Sequence, residues 1–182
     1  LPLAVAGHHV TGIDIDKEAI DACASKCAKV DLDVELLEGD MQDLLPVDDK
    51  VDVVVCCGQT LMLLADIDEA VEFLQSCRQS LKDDGMFVID DIPNDLWPEV
   101  AEGRWVEGVN EDQSIQMVWS KNDTVFAIRQ GDEVDSDSWE LKRTDKPLRL
   151  WTKGALQLAA SLASLSVPKV QVEGAILVMR AE

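Results

Sequence analysis

Residues Val10 to Ile20 read VTGIDIDKEAI, a short apolar run that ends on an acid and turns straight into a helical pattern. Asp16 is placed to cap the helix that begins at Lys17, its carboxylate accepting the free N–H groups of the first turn. Asp14 has no obvious local duty in the sequence. A carboxylate at the carboxyl end of a parallel strand faces the crevice where doubly wound α/β folds bind ligands. The fold class and the first candidate site residue both come from this stretch.

Alternation continues outward from it. Val34 to Leu37 reads as a strand, and Val51 to Cys56 as a near-continuous apolar strand expected to be buried on both faces. Asp66 with Glu69 caps a second amphipathic helix whose apolar positions run from Ile67 to Leu81, with Gly85 as its stop and Met86 to Ile89 as the next strand. Strands separated by helices predict a mostly parallel sheet with right-handed crossovers. All five tryptophans then fall between Asp90 and Thr152, where Ile115 to Trp119 and Thr124 to Arg129 alternate as antiparallel strands do. This is the pattern of a β insertion. Thr152 caps a last helix rich in Ala and Leu, and Lys169 to Val172 with Ala175 to Met179 form a terminal antiparallel pair. Three regions follow: an α/β core over 1–90, a β insertion over 91–151, and a closing helix and strands over 152–182.

Composition narrows the function. The chain has 182 residues, 47% of them apolar, a length that suits one domain with an insertion. With 36 acids against 16 Lys and Arg, the formal charge is −20. Such an acidic protein repels polyanions, so no nucleic acid and no anionic membrane is expected as partner. No apolar run approaches a membrane span and no signal-peptide pattern opens the chain, so the expected location is cytoplasmic. The five cysteines are odd in number and contain no CxxC pair, which points to neither a disulfide framework nor a metal site. Cys23 and Cys27 share a helix face with Ile20 and Val30, a core spacing.

In the order and spacing of these segments the chain resembles the class I S-adenosylmethionine-dependent methyltransferases, small-molecule type, with their Rossmann-like core. The residues that carry the resemblance are VTGIDI, LLEGDMQDL, DVVVCCGQTLMLL, LKDDGMFVIDDIPN and RLWTKGAL. The resemblance implies S-adenosylmethionine as cofactor, with Asp14 and Ile15 at its ribose, Asp40 and Met41 at its adenine, and Cys57 and Gln59 bordering its methionine end. For Gln59, capping the loop is the alternative; for Asp40, a turn or cap. Substrate contacts are expected at Asp91, Asn94 and Trp97. Asp90 and Asp91 could meet a substrate amine, while the remaining tryptophans suit the core of a β layer. His8 and His9 precede their strand and so belong to the opposite end of the sheet from its ligand edge. A dedicated catalytic side chain need not exist, because methyl transfer is an in-line displacement that needs mainly positioning and dryness.

The family's first strand and glycine-rich loop are not found before LPLAVAGHHV, so the strands at Val10 and Val51 are expected to be unpaired along one side or forced together. A short connection at Glu173 and Gly174 replaces a longer substrate-facing segment. The alternatives are therefore a non-catalytic remnant or dimerising module, with a homodimer supplying the lost sheet contact, and a nicotinamide-binding domain, since those also end a strand on Asp for the ribose.

Overall fold

The computed structural model describes residues 1–90, 93–172 and 176–182, with side chains at all of these except 93–96. The chain divides into two compact units, Leu1–Asp48 and Asp49–Glu182.

The first unit runs α1 (Pro2–Val5), β1 (Thr11–Asp14), α2 (Lys17–Ala28), β2 (Glu35–Glu38) and α3 (Met41–Leu44). β1 and β2 are parallel, with Thr11 opposite Glu35 and Asp14 opposite Glu38. The helix between them starts where the sequence places it, with the Asp16 carboxylate accepting the Glu18 N–H at 2.8 Å. Its buried face is narrower than the spacing predicts. Cys27 is buried, but α2 ends at Ala28, so Val30 lies beyond the helix and is 59% exposed.

The second unit begins with β3 (Val51–Cys56), a 3-10 turn (Thr60–Leu63), α4 (Ile67–Ser80) and β4 (Leu81–Ile89). After α5 (Pro93–Ala101) come β5 (Gly108–Val109), β6 (Ile115–Trp119), β7 (Val125–Gln130) and β8 (Leu148–Arg149). The chain closes with α6 (Lys153–Leu162), β9 (Lys169–Val172) and β10 (Ile176–Arg180). Two four-stranded sheets result, ordered β3-β4-β10-β9 and β5-β6-β7-β8. The expected parallel geometry holds for β1–β2 and β3–β4; β4–β10–β9 is antiparallel, as is the whole β5–β8 layer. The connection at Glu173 and Gly174 lies outside the described residues.

Three local expectations are corrected. α4 stops at Ser80, and Leu81 already turns extended with ψ 144°. Gly85 is therefore no helix stop; it sits inside β4, where the register jumps from Val51 opposite Leu81 to Val53 opposite Met86. A Cβ there would come within 3.0 Å of Leu81 and of the Lys82 carbonyl, so the tight bulge requires glycine. β3 is not buried on both faces: Val53 and Val55 are 39% and 44% exposed. Among the described residues β1 bonds only to β2 and β3 only to β4.

The core of the second unit sits where α4 and α6 cover the β3–β4–β10 sheet. Phe73, Leu74 and Cys77 of α4, Phe87 and Ile89 of β4, Leu156 of α6 and Met179 of β10 are all sealed from water. Phe73 and Phe87 meet edge to face at 6.2 Å, an arrangement that suits the quadrupoles of the rings. No helix among the described residues is long and apolar enough to cross a membrane.

Candidate functional site

In the first unit, the tips of β1 and β2 bring Asp14 and Asp40 together on one edge. The strands are parallel and in register up to Asp14 opposite Glu38, and the Gly39 N–H extends the ladder by donating to the Asp14 carbonyl at 2.9 Å. Asp40 follows at once. A Cβ on Gly39 would lie 2.9 Å from Leu44 Cδ1, so glycine lets the Leu44 side chain pack close against the turn into α3.

Each carboxylate spends one oxygen locally. Asp14 Oδ1 accepts the Asp16 N–H at 2.9 Å, and Asp40 Oδ1 accepts the Gln42 N–H at 2.9 Å as the cap of α3. The second oxygen of each has no hydrogen-bond partner among the described residues. The cap reading and the ligand reading of Asp40 are thus compatible, because a carboxylate offers more acceptor sites than one N–H can fill. Beside them Ile15 is 71% exposed and Met41 half-buried. Two half-used anions with apolar neighbours, on adjacent strand tips, suit a nucleoside's hydroxyls, amino group and ring face.

In the second unit, β3 and β4 end side by side, Cys56 opposite Ile89. The chain leaves β3 through Cys57, Gly58 and Gln59, all exposed. Gly58 and Gln59 are both left-handed, with φ of 77° and 60°. For glutamine this conformation costs about 1 kcal/mol, and such outliers gather at ligand sites. Gln59 does not cap the following turn with its side chain; its carbonyl accepts the Met62 N–H at 3.0 Å. The Thr60 hydroxyl donates to the Cys57 carbonyl at 2.6 Å and closes the loop.

Asp90, the first residue past β4, reaches across to this loop. Its Oδ2 accepts the Gly58 N–H at 2.8 Å. Its Oδ1 is sealed from water without a hydrogen-bond partner among the described residues. The Cys57 thiol is pushed above its ordinary value, first by desolvation and then by the Asp90 charge. Asp91 and the Asn94 side chain lie outside the described residues, and Trp97 is half-buried on α5.

The β5–β8 layer places the remaining tryptophans as packing. Trp105 and Trp119 meet Phe126 at 5.4 and 4.8 Å, Trp119 Nε1 donates to the Trp105 carbonyl, and Trp151 is buried with its Nε1 donating to Leu61 at 3.0 Å. Trp139 is 37% exposed. His8 and His9 are exposed on the segment before β1.

Comparison with known proteins agrees with this architecture. A family model described as "Methyltransferase domain" matches residues 1–85. No curated protein matches the chain. Among solved structures, an S-adenosylmethionine-dependent methyltransferase from Clostridium acetobutylicum is similar with a TM-score of 0.69 and 14% identity, over 98% of this chain and 77% of that one. The CcbJ methyltransferase from Streptomyces caelestis gives 0.68 and 18%, over 99% and 77%. CalS10, an amino pentose methyltransferase from Micromonospora echinaspora with S-adenosylmethionine bound, gives 0.56 and 18%, over 96% and 74%. The chain has the fold of the class I S-adenosylmethionine-dependent methyltransferases.

Proposed function

We propose that the chain is an S-adenosylmethionine-dependent methyltransferase that acts on a small-molecule acceptor. The observation that carries this reading is the pair of half-used carboxylates, Asp14 and Asp40, at neighbouring parallel strand tips. The family match over residues 1–85 covers both of them.

In this reading the free oxygen of Asp14 accepts the ribose hydroxyls and that of Asp40 the adenine amino group, while Ile15 and Met41 give apolar contact to the sugar and ring. Cys57 and Gln59 are assigned to the methionine end, where the left-handed turn presents backbone groups that a regular strand end would not. The cofactor supplies a methyl group on a positively charged sulfur. The protein's own share is orientation and exclusion of water, so no general acid or base is assigned. Trp97, on the helix after β4, is assigned to the acceptor, and the β5–β8 layer to its cover. A small acceptor fits the similarity to an amino pentose methyltransferase.

Titration calorimetry with S-adenosylhomocysteine tests the assignment. Saturable one-to-one heat is expected; a folded protein that gives none would leave the chain a methyltransferase fold without the activity.

A further inference from the structure

The loop after β3 is stapled by a group with more charge than the staple needs. Asp90 Oδ2 takes the Gly58 N–H at 2.8 Å, a bond that asparagine would make equally well. The other oxygen is sealed and unpartnered among the described residues, and no Lys or Arg there pairs with Asp90. A half-buried carboxylate with one oxygen covered and no countercharge is less favourable than a fully hydrated one, and a positive ligand placed nearby would offset that. Asp90 acts on the loop itself: the Cys57 thiol is raised first by desolvation, then by the Asp90 charge and a hydrogen bond to Asp90. Coulomb attraction needs no direct contact, so a covered oxygen can still act on a ligand above the loop.

We propose that Asp90 is a charge-selecting residue: it favours a monocation over the neutral isostere at the tips of β3 and β4. The inference rests on the methyltransferase reading for its ligands. Two sources of that cation are chemically open, the sulfonium of the methyl donor and an ammonium on the acceptor. S-adenosylmethionine and S-adenosylhomocysteine differ by the methyl group that makes the sulfur positive, which makes them a matched pair.

The test is calorimetry of both compounds against the wild-type chain and Asp90→Asn, which keeps an oxygen for the Gly58 N–H. A second arm titrates cyclohexylamine and cyclohexanol against tryptophan fluorescence of the same proteins, with S-adenosylhomocysteine present. Asp90→Asn is expected to lose about tenfold in affinity for the positive member of one pair, the scale of a nearby charge at interior dielectric, with the neutral member unchanged. A loss confined to S-adenosylmethionine assigns the sulfonium; one confined to the amine assigns the acceptor. Equal changes within both pairs, or none, overturn the proposal. If Asp90→Asn does not fold, Asp90→Ser, which keeps an oxygen for the Gly58 N–H and loses the charge, carries the same comparison. Absence of S-adenosylhomocysteine binding defeats the methyltransferase reading instead; in that case the amine and alcohol pair, run without it, still judges Asp90.

Discussion

Two carboxylates in different parts of the molecule differ in how far their oxygens are already used by the protein itself. Asp145, in the loop that follows β7, has both oxygens engaged and is covered. Its two oxygens take Nε and Nη2 of Arg129 at 2.8 Å each, and Oδ2 also takes the Lys142 N–H. Arg129 is itself saturated, donating further to the Ser138 and Glu140 carbonyls and to Gln116, and it is 2% exposed. Gln116 in turn grips the Asp135 backbone from both sides. This knot ties an irregular loop to the β layer and leaves nothing for a ligand. Asp14 gives one oxygen to a backbone N–H and keeps the other open on an exposed strand tip. A satisfied network holds shape; an unsatisfied acceptor at an edge is an offer to a partner.

That contrast breaks first if Asp145→Asn is mild. Loss of the charge leaves a covered guanidinium without its counterion, and the expected cost is about 3 kcal/mol, the low end for breaking a buried pair because a single loop covers this one. Urea unfolding measures it, and a change below about 1 kcal/mol would mean that water reaches Arg129 freely. The same acids set an acid limb. Asp145 lies below its ordinary value of 3.8 chiefly through the Arg129 hydrogen bond, and Asp123 likewise through Arg149. A depressed folded-state pKa gives stability that is present above 3.8 and lost as the pH falls through the folded value. Denaturant midpoints between pH 6 and pH 2 should therefore fall at the acid end, and less steeply in Asp145→Asn.

On the other side of the comparison, Asp14→Ala should leave the unfolding midpoint nearly unchanged and weaken S-adenosylhomocysteine by about 1 to 3 kcal/mol, the scale of hydrogen bonds to a charged group. Calorimetry reads the affinity. Unchanged binding would remove Asp14 from the site and with it the distinction drawn from saturation.

The sequence carried the regular half of this contrast better than the irregular half. Strand ends and caps were legible because they depend on neighbours: Asp16, Asp66 and Thr152 all cap the helices that follow them. The edge formed by Asp14 and Asp40 was legible because parallel pairing of two strands is implied by the helix between them. The Arg129 knot was not, since its partners lie 9 to 16 residues away in a loop with no periodicity. The sequence places Asp90 beside Asp91 at a strand end where either could meet a substrate amine, and does not show its bond to Gly58. The alternation that buries Phe87 and Ile89 puts Asp90 on the opposite face from them, but its bond to Gly58 spans 32 residues and is set by β3–β4 register alone. The exposure of Val53 and Val55 escaped because hydrophobicity does not say how many neighbours a strand has.

The finest test concerns Asp40, where cap and ligand roles occupy the same side chain. Asparagine is as good an N-cap as aspartate, so Asp40→Asn should hold α3 and shift stability by less than about 0.5 kcal/mol. Its single oxygen is then committed to the Gln42 N–H, which the aspartate meets at 2.9 Å, and the amide NH2 faces the ligand in place of the open oxygen. An adenine amino group needs an acceptor there, so affinity for S-adenosylhomocysteine should drop by about 1 kcal/mol, one net hydrogen bond. Calorimetry beside a denaturant curve separates the two quantities. If Asp40→Asn binds as well as the wild type while Asp40→Ala loses both stability and affinity, Asp40 is a cap whose effect on binding is indirect. The nucleoside would then be held at this edge by Asp14 alone.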